Sequence, residues 1–265
     1  MADKIKPHVV EKVKVIRQWE ADMNLAEAKD IGFKKYHNYY APHGIVESSK
    51  IVLSFGVGGE CRFEKLILHE NPNLDLYMFD PTPYTRKFLH GIVHSSARKE
   101  IDNKSLNDEL ARKIKFFPYA YSNITGKQEF YYDPSREKEI KESVDMLTQS
   151  FSLLKQNENF QSVTVDTINV KDIMKKFDLA SVDIIKADIE GLWKEISDEI
   201  IDNKIDIKIL ATEFELIFDD INESLTKAKY VVNKFQQNGY KAFINRRRDK
   251  CMLEMLFVRQ DLYEG

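Results

Sequence analysis

Between Ile51 and Asp80 the chain reads as strand, glycine turn, helix, strand and terminal acid, and few folds accept that order. IVLSF at 51–55 is a short apolar, β-rich run that leads at once into GVGG at 56–59. Phe63, Leu66 and Ile67 then take helical spacing. Leu74, Leu76, Met78 and Phe79 form a second apolar run that stops at Asp80-Pro81. A period that switches from strand to helix and back describes the opening unit of a doubly wound α/β sheet.

The alternation continues to the end of the chain. KIKFFPYAY at 113–121 contains a third strand, and VTVDT at 163–167 is a short one. Val170, Ile173, Met174 and Phe177 predict a helix, and VDIIKAD at 182–188 a buried strand ending in Asp188. IKILATE at 207–213 is another, ending in Glu213. Leu225, Ala228, Val232 and Phe235 mark a helix that Gly239 terminates. YKAFI at 240–244 and MLEMLFV at 252–258 flank the link NRRRDKC, which is too short for anything but an antiparallel pair. The expected fold is a Rossmann-like three-layer α/β sandwich. Its sheet is mostly parallel and seven-stranded, with a carboxy-terminal antiparallel hairpin. That hairpin suits the class I methyltransferase variant better than the dehydrogenase one.

Two segments fall outside this core. Residues 1–48 read as a mostly helical lead-in, with the aromatic stretch 34–44 as loop. Within the catalytic unit, 49–265, the charged segment 133–162 reads as a helical insertion placed to cover an acceptor, through Ile140, Val144 and Leu147.

Composition narrows the function classes. The 265 residues carry 40 basic and 43 acidic side chains, a net charge of −3, which is no field for nucleic acid. No run free of charged residues exceeds 11, whereas a membrane helix needs about 20 apolar residues. The amino terminus is charged throughout, and two cysteines exclude a disulfide scaffold. A cytoplasmic protein with a small-molecule partner is expected; homo-oligomerisation is compatible with this reading. No spacing stands out as a metal-ligand motif.

The glycine turn selects the cofactor. Gly56 and Gly58 occupy the first two positions of G-x-G-x-x-G, between Phe55 and the helix start. Glu60 stands where dinucleotide pyrophosphate would sit on the helix amino terminus and would repel it. S-adenosylmethionine, with its sulfonium and ammonium charges, is compatible with an acid there. Asp80 follows Gly56 by 24 positions and precedes Pro81. Its expected role is to accept the ribose hydroxyls, at about the 20-residue spacing of nucleotide folds.

The strings VLSFGVGGECRFE (52–64), MFDPTPYTRKF (78–88) and DIIKADIEGLWKEI (183–196) resemble the FkbM-type S-adenosylmethionine-dependent methyltransferases. YYAPHGIVESSKIVLSFGVGGE (39–60) and LATEF (210–214) extend the similarity. The resemblance implies a class I fold and O-methylation of hydroxyls, on sugars of glycan, lipopolysaccharide or capsule precursors or on natural products. It assigns Gly56, Gly58 and Glu60 to the cofactor turn and Asp80 to the ribose. Ala120 and Tyr121 fall at the adenine, and Asp188, Glu190 and Glu213 at the reaction edge. Many relatives have histidine where this chain has Glu215.

A sugar hydroxyl is a poor nucleophile at neutral pH, so a base within about 3 Å is expected. Asp188, Glu190, Glu213 and Glu215 are the candidates, with Asp188 as first choice for base or orienting group. Arg246, Arg247 and Arg248, at the expected hairpin tip, suggest an anionic acceptor such as a nucleotide-sugar. His43 is a further candidate for contact with the acceptor. A small natural product or phosphorylated metabolite is the alternative acceptor. An NAD(P)-dependent oxidoreductase is the competing class.

Overall fold

Strands that are apolar on both sides must be covered on both sides. The computed structural model describes residues 7–58, 61–82, 112–134, 152–155, 158–216, 220–248 and 252–263, with backbone alone at 7–10 and 246–248. In chain order its elements are α1 (Pro7–Asp22), β1 (Ala26–Glu27), a 3-10 turn (Ala28–Ile31), β2 (Lys34–Tyr36), β3 (Tyr39–Ala41) and α2 (His43–Ser48). There follow β4 (Ile51–Phe55), α3 (Arg62–Glu70), β5 (Asp75–Phe79), β6 (Ile114–Phe117), β7 (Ala120–Tyr121), β8 (Gly126–Tyr132) and β9 (Gln161–Ile168). The last are α4 (Val170–Lys176), β10 (Ile184–Ala187), α5 (Trp193–Asp202), β11 (Ile209–Glu215), α6 (Ile221–Gln237), β12 (Tyr240–Arg248) and β13 (Met252–Arg259).

The main sheet has the order β1-β12-β13-β11-β10-β4-β5-β6. From β11 to β6 every pairing is parallel, and β13 runs antiparallel between β11 and β12. The expected seven strands are all present. The lead-in adds an eighth, because β1 pairs parallel with the outer edge of β12.

Alternation along the strands divides the core between two faces. Leu53, Phe55, Ile185, Ala187, Leu210 and Phe214 pack with Ile196 of α5, Val232 and Phe235 of α6, and Trp19 of α1. Val52, Leu76, Met78, Ile184 and Ala211 pack on the other face with Ile67 of α3, Val46 of α2, and Tyr36 and Tyr39. At the amino edge Asp183 binds three strand starts together. Its Oδ2 accepts the Lys50 and Ile51 N–H groups at 2.6 and 2.9 Å, and its Oδ1 lies 2.7 Å from Lys208 Nζ. Burial pushes the Asp183 carboxyl up, but Lys208 and the two N–H donors outweigh it and hold it below the usual range.

Three sequence expectations change. Residues 34–44 are not loop throughout: β2 and β3 form a hairpin about His37, which has φ 56°. The Pro and Gly that suggested loop lie beyond it, at the start of α2. The run 113–121 breaks at Pro118, which has no N–H to donate to a ladder. Its second half, β7, joins β9 and β8 in a separate three-stranded sheet. The arginines form no hairpin tip. The β12 backbone continues through them, with Arg246, Arg247 and Arg248 opposite Glu254, Leu253 and Met252. Most of 133–162, expected as a helical insertion, lies outside the described residues. Among the described residues no helix is long and apolar enough to cross a membrane.

Candidate active site

The carboxyl ends of β4, β5, β10 and β11 lie side by side. Gly56 ends β4 with φ 64°, in the left-handed region that disfavours any Cβ. A Cβ there would lie 1.6 Å from the Asp188 carbonyl oxygen. Only glycine lets the turn pass so close to the end of β10. The Gly56 N–H donates to Phe79 O at 3.1 Å and Asp188 N–H to Phe55 O at 3.2 Å, which locks the three strand ends together.

Asp80 is buried and braces this turn. Its Oδ2 accepts the Gly58 N–H at 2.8 Å, and its Oδ1 accepts Thr82 N–H at 2.8 Å and Thr82 Oγ1 at 2.6 Å. The acid expected to hold ribose therefore also holds the glycine loop, with Pro81 half-buried beside it. Glu60 lies outside the described residues. Phe55 is fully buried, stacked on Phe79 at 5.0 Å and edge-on to Tyr121 at 5.5 Å, so its ring supports the turn from beneath. Ala120 and Tyr121 are also buried. Tyr121 Oη donates to Glu199 Oε2 at 3.0 Å, and burial together with the Glu199 charge pushes its phenol far up.

The acids of β10 and β11 converge next to Gly56. Asp188 follows β10, and Glu213 and Glu215 share one side of β11, as alternation requires. One carboxylate oxygen from each lies within 4.8 Å of the others. At an effective dielectric near 20, two unit charges at that distance repel by about 3 kcal/mol. Glu215 responds: burial, then the charges of Glu190, Glu213 and Asp188, push its carboxyl well up, against the Gly191 N–H that donates to its Oε2 at 2.9 Å. That N–H is aimed by a left-handed pair, Glu190 at φ 47° and Gly191 at φ 93°. Ser152 Oγ donates to Glu190 O at 2.8 Å, so the chain that returns from the 133–151 stretch anchors on this loop.

Sequence reasoning missed several residues here. Tyr39 of β3 is buried, and burial, then Asp188, Glu254, Glu213 and Glu64, raise its phenol. Lys186, buried in β10, donates to Gly56 O at 3.1 Å and lies 3.9 Å from Glu64 Oε1. Glu254 of β13 is buried opposite Glu213 in the ladder, and Arg246 is opposite Glu254. A lone charge inside an apolar strand was the available signal for Lys186 and Glu254. Tyr39 gave none, because it reaches the site from a separate hairpin.

His43 does not join this group. Its Nδ1 lies 3.2 Å from Glu70 Oε1 and from Tyr36 Oη, and its Nε2 3.3 Å from Glu47 Oε1. Glu70 ends α3, about 13 Å along the helix from the glycine turn. The arginines of β12 do lie toward the carboxyl edge of the sheet, in the rows of Glu254 and Glu213.

This arrangement can hold a cationic cofactor, accept a proton from a hydroxyl, or ligate a cation. Residues 57–241 match the sequence model of the methyltransferase FkbM domain. No protein of curated function matches the chain. Among solved structures, an O-methyltransferase family protein from Burkholderia thailandensis aligns over 82% of this chain and 52% of its own, at 9% identity and a TM-score of 0.40. The chain thus spans about half the length of that protein. Precorrin-6y C5,15-methyltransferase from Geobacter metallireducens aligns over 86% of this chain and 94% of its own, at 11% identity and a TM-score of 0.39. Aeropyrum pernix fibrillarin, with natively bound S-adenosyl-L-methionine, aligns over 80% and 68%, at 10% identity and a TM-score of 0.39.

Proposed function

The chain belongs to the FkbM methyltransferase family and uses S-adenosylmethionine as methyl donor, and on that premise we propose that it methylates a sugar hydroxyl in glycan, capsule or lipopolysaccharide biosynthesis. The observation that carries the reading is the shared wall between glycine turn and acids, where Gly56 and the Asp188 peptide meet too closely for a Cβ. In open α/β sheets ligands bind beyond the carboxyl ends of the strands. Gly56, Gly58 and Asp80 hold the cofactor there, and an acid after the turn in sequence, Glu60, is compatible with a cationic sulfonium. Among the four candidate bases, Asp188 is the one whose backbone meets the turn, at Gly56.

Methyl transfer is an in-line displacement that depends on holding nucleophile, methyl carbon and sulfur collinear. The acceptor oxygen bonds to the methyl carbon as the carbon–sulfur bond breaks and its electron pair goes to sulfur. The hydroxyl proton passes to a carboxylate, Asp188 in the first instance, with Glu190, Glu213 and Glu215 around it. An acceptor carrying phosphate would add a partner for Arg246, Arg247 and Arg248. The test is mass spectrometry of a panel of sugars and nucleotide-sugars incubated with the protein and methyl-labelled cofactor. A labelled methyl on a hydroxyl oxygen is expected. Binding of the cofactor with transfer to none of the sugars, but to another acceptor class, would replace the sugar reading.

A further inference from the structure

Two buried acids of β11, Glu213 and Glu215, and the half-buried Asp188 at the end of the neighbouring β10 share one small volume, and Glu215 holds an unmatched oxygen. Glu215 is 2% exposed, and its Oε2 accepts the Gly191 N–H at 2.9 Å. Its Oε1 is buried and has no hydrogen-bond partner among the described residues. Burying an acceptor without a donor is unfavourable, and more so for a carboxylate. The groups around Glu215 are themselves acids: Glu190, Glu213 and Asp188. A cation here would give Glu215 Oε1 a partner and offset the charge of the acids beside it. The buried lysine nearby, Lys186, is committed to Gly56 O and Glu64.

We propose that Asp188, Glu213 and Glu215 form a binding site for one divalent, oxygen-preferring cation of the Mg²⁺, Mn²⁺ or Ca²⁺ class. Such ions take oxygens at about 2.0–2.6 Å, which sets opposite ligands about 4–5 Å apart and adjacent ones about 3 Å apart. The three carboxylates meet that span, since their oxygens lie within 4.8 Å of one another. An all-oxygen set without Cys or His favours these ions over zinc or copper. The ligands are also held in place: β11 is buried along its whole length, it pairs with β10, and Gly191 N–H fixes Glu215. No ligand motif is visible in the sequence because the ligands are contributed by two strand ends 25 positions apart.

The role of the ion rests on the methyltransferase reading. It would take the acceptor hydroxyl at an open coordination position and lower its pKa. The proton would then pass to the second oxygen of a monodentate ligand as the oxygen bonds to the methyl carbon and the carbon–sulfur bond breaks. Asp188 thereby becomes an ion ligand as well as a proton acceptor.

The experiment uses the full chain, freed of ions by chelator, with S-adenosylhomocysteine bound. Mn²⁺ is titrated in and followed by the electron paramagnetic resonance of the free ion, and Mg²⁺ and Ca²⁺ are titrated by calorimetry. One ion per chain is expected, with Kd below about 1 mM, and at least about tenfold weaker binding in Glu215→Gln and Glu213→Gln. Circular dichroism checks that each variant folds; if Glu215→Gln does not, the wild-type stoichiometry and Glu213→Gln decide. No binding by the wild type at millimolar ion, or equal binding by both folded variants, overturns the site. S-adenosylhomocysteine affinity, measured with and without chelator, is a separate readout. Its absence in both would reject the methyltransferase reading, whereas its presence without ion binding rejects the ion site alone.

Discussion

Gly56→Ala is expected to open the cofactor edge of the sheet. The residue has φ 64°, which costs a non-glycine residue about 1–2 kcal/mol. The new Cβ would lie 1.6 Å from Asp188 O and 2.7 Å from Asp188 C, although real Cβ atoms essentially never approach below 3.0 Å. Both atoms belong to the backbone, so no side chain can swing aside; β4 and β10 must part by roughly 1.4 Å at their ends. Asp188 N–H to Phe55 O at 3.2 Å crosses that gap, and Gly56 N–H to Phe79 O at 3.1 Å ties the displaced residue to β5 on the other side. Losing both adds about 0.5–1.5 kcal/mol each. The expected total is about 2–5 kcal/mol. Gly58→Ala is the control. It has φ 58° and nothing within 4 Å of the added Cβ, so only the left-handed cost of about 1–2 kcal/mol applies. Urea-unfolding midpoints give the stabilities, and calorimetric titration with S-adenosylmethionine gives the affinities. Gly56→Ala should be the less stable variant and should lose at least about tenfold in affinity, 1.4 kcal/mol. Equal stability of the two variants, or wild-type cofactor affinity in Gly56→Ala, would refute the reasoning.

Asp80→Ala should weaken cofactor binding by about 1–3 kcal/mol through lost charged hydrogen bonds, and should also destabilise the Gly58 loop that Asp80 holds; unchanged affinity in a calorimetric titration would remove Asp80 from the site. Asp188→Asn should lower turnover by at least about 10²-fold, the scale of general acid–base catalysis, and far more than it lowers cofactor affinity; steady-state kinetics that retain most of the turnover would exclude the base role. Asp183→Asn should cost about 1.5–3 kcal/mol at neutral pH. Because the folded pKa of Asp183 lies below its unfolded value, that contribution is present above about pH 4 and fades as pH falls through the folded pKa. Unfolding midpoints of wild type and variant should therefore converge in acid, and a constant gap would contradict the assignment. Replacing Arg246, Arg247 and Arg248 together with Ala should raise the KM of an anionic acceptor, and an unchanged KM would rule that acceptor class out.

Much of the fold is local in origin and was legible in the chain. β4, β5, α3, α4, α6 and the terminal hairpin follow from apolar periodicity and from Gly239, because period and turn chemistry are properties of short segments. The glycine turn and Asp80 were legible for the same reason, since a strand-turn-helix unit has one backbone solution. Asp188, Glu213 and Glu215 were recognisable singly as strand-end acids. Three things were decided only by tertiary structure. Strand order brings β10 and β11 together beside β4, so acids 25 positions apart come within 4.8 Å, and burial then raises Glu215 in a way no local pattern encodes. The lead-in hairpin, read as loop, delivers Tyr39 to that cluster from the layer that covers the same face of the sheet. Asp80, read as a ribose ligand, also braces Gly58. The sequence determined which chemical groups stand at the ends of the strands; packing determined which of them meet, and at a low-dielectric meeting point that distance sets the chemistry.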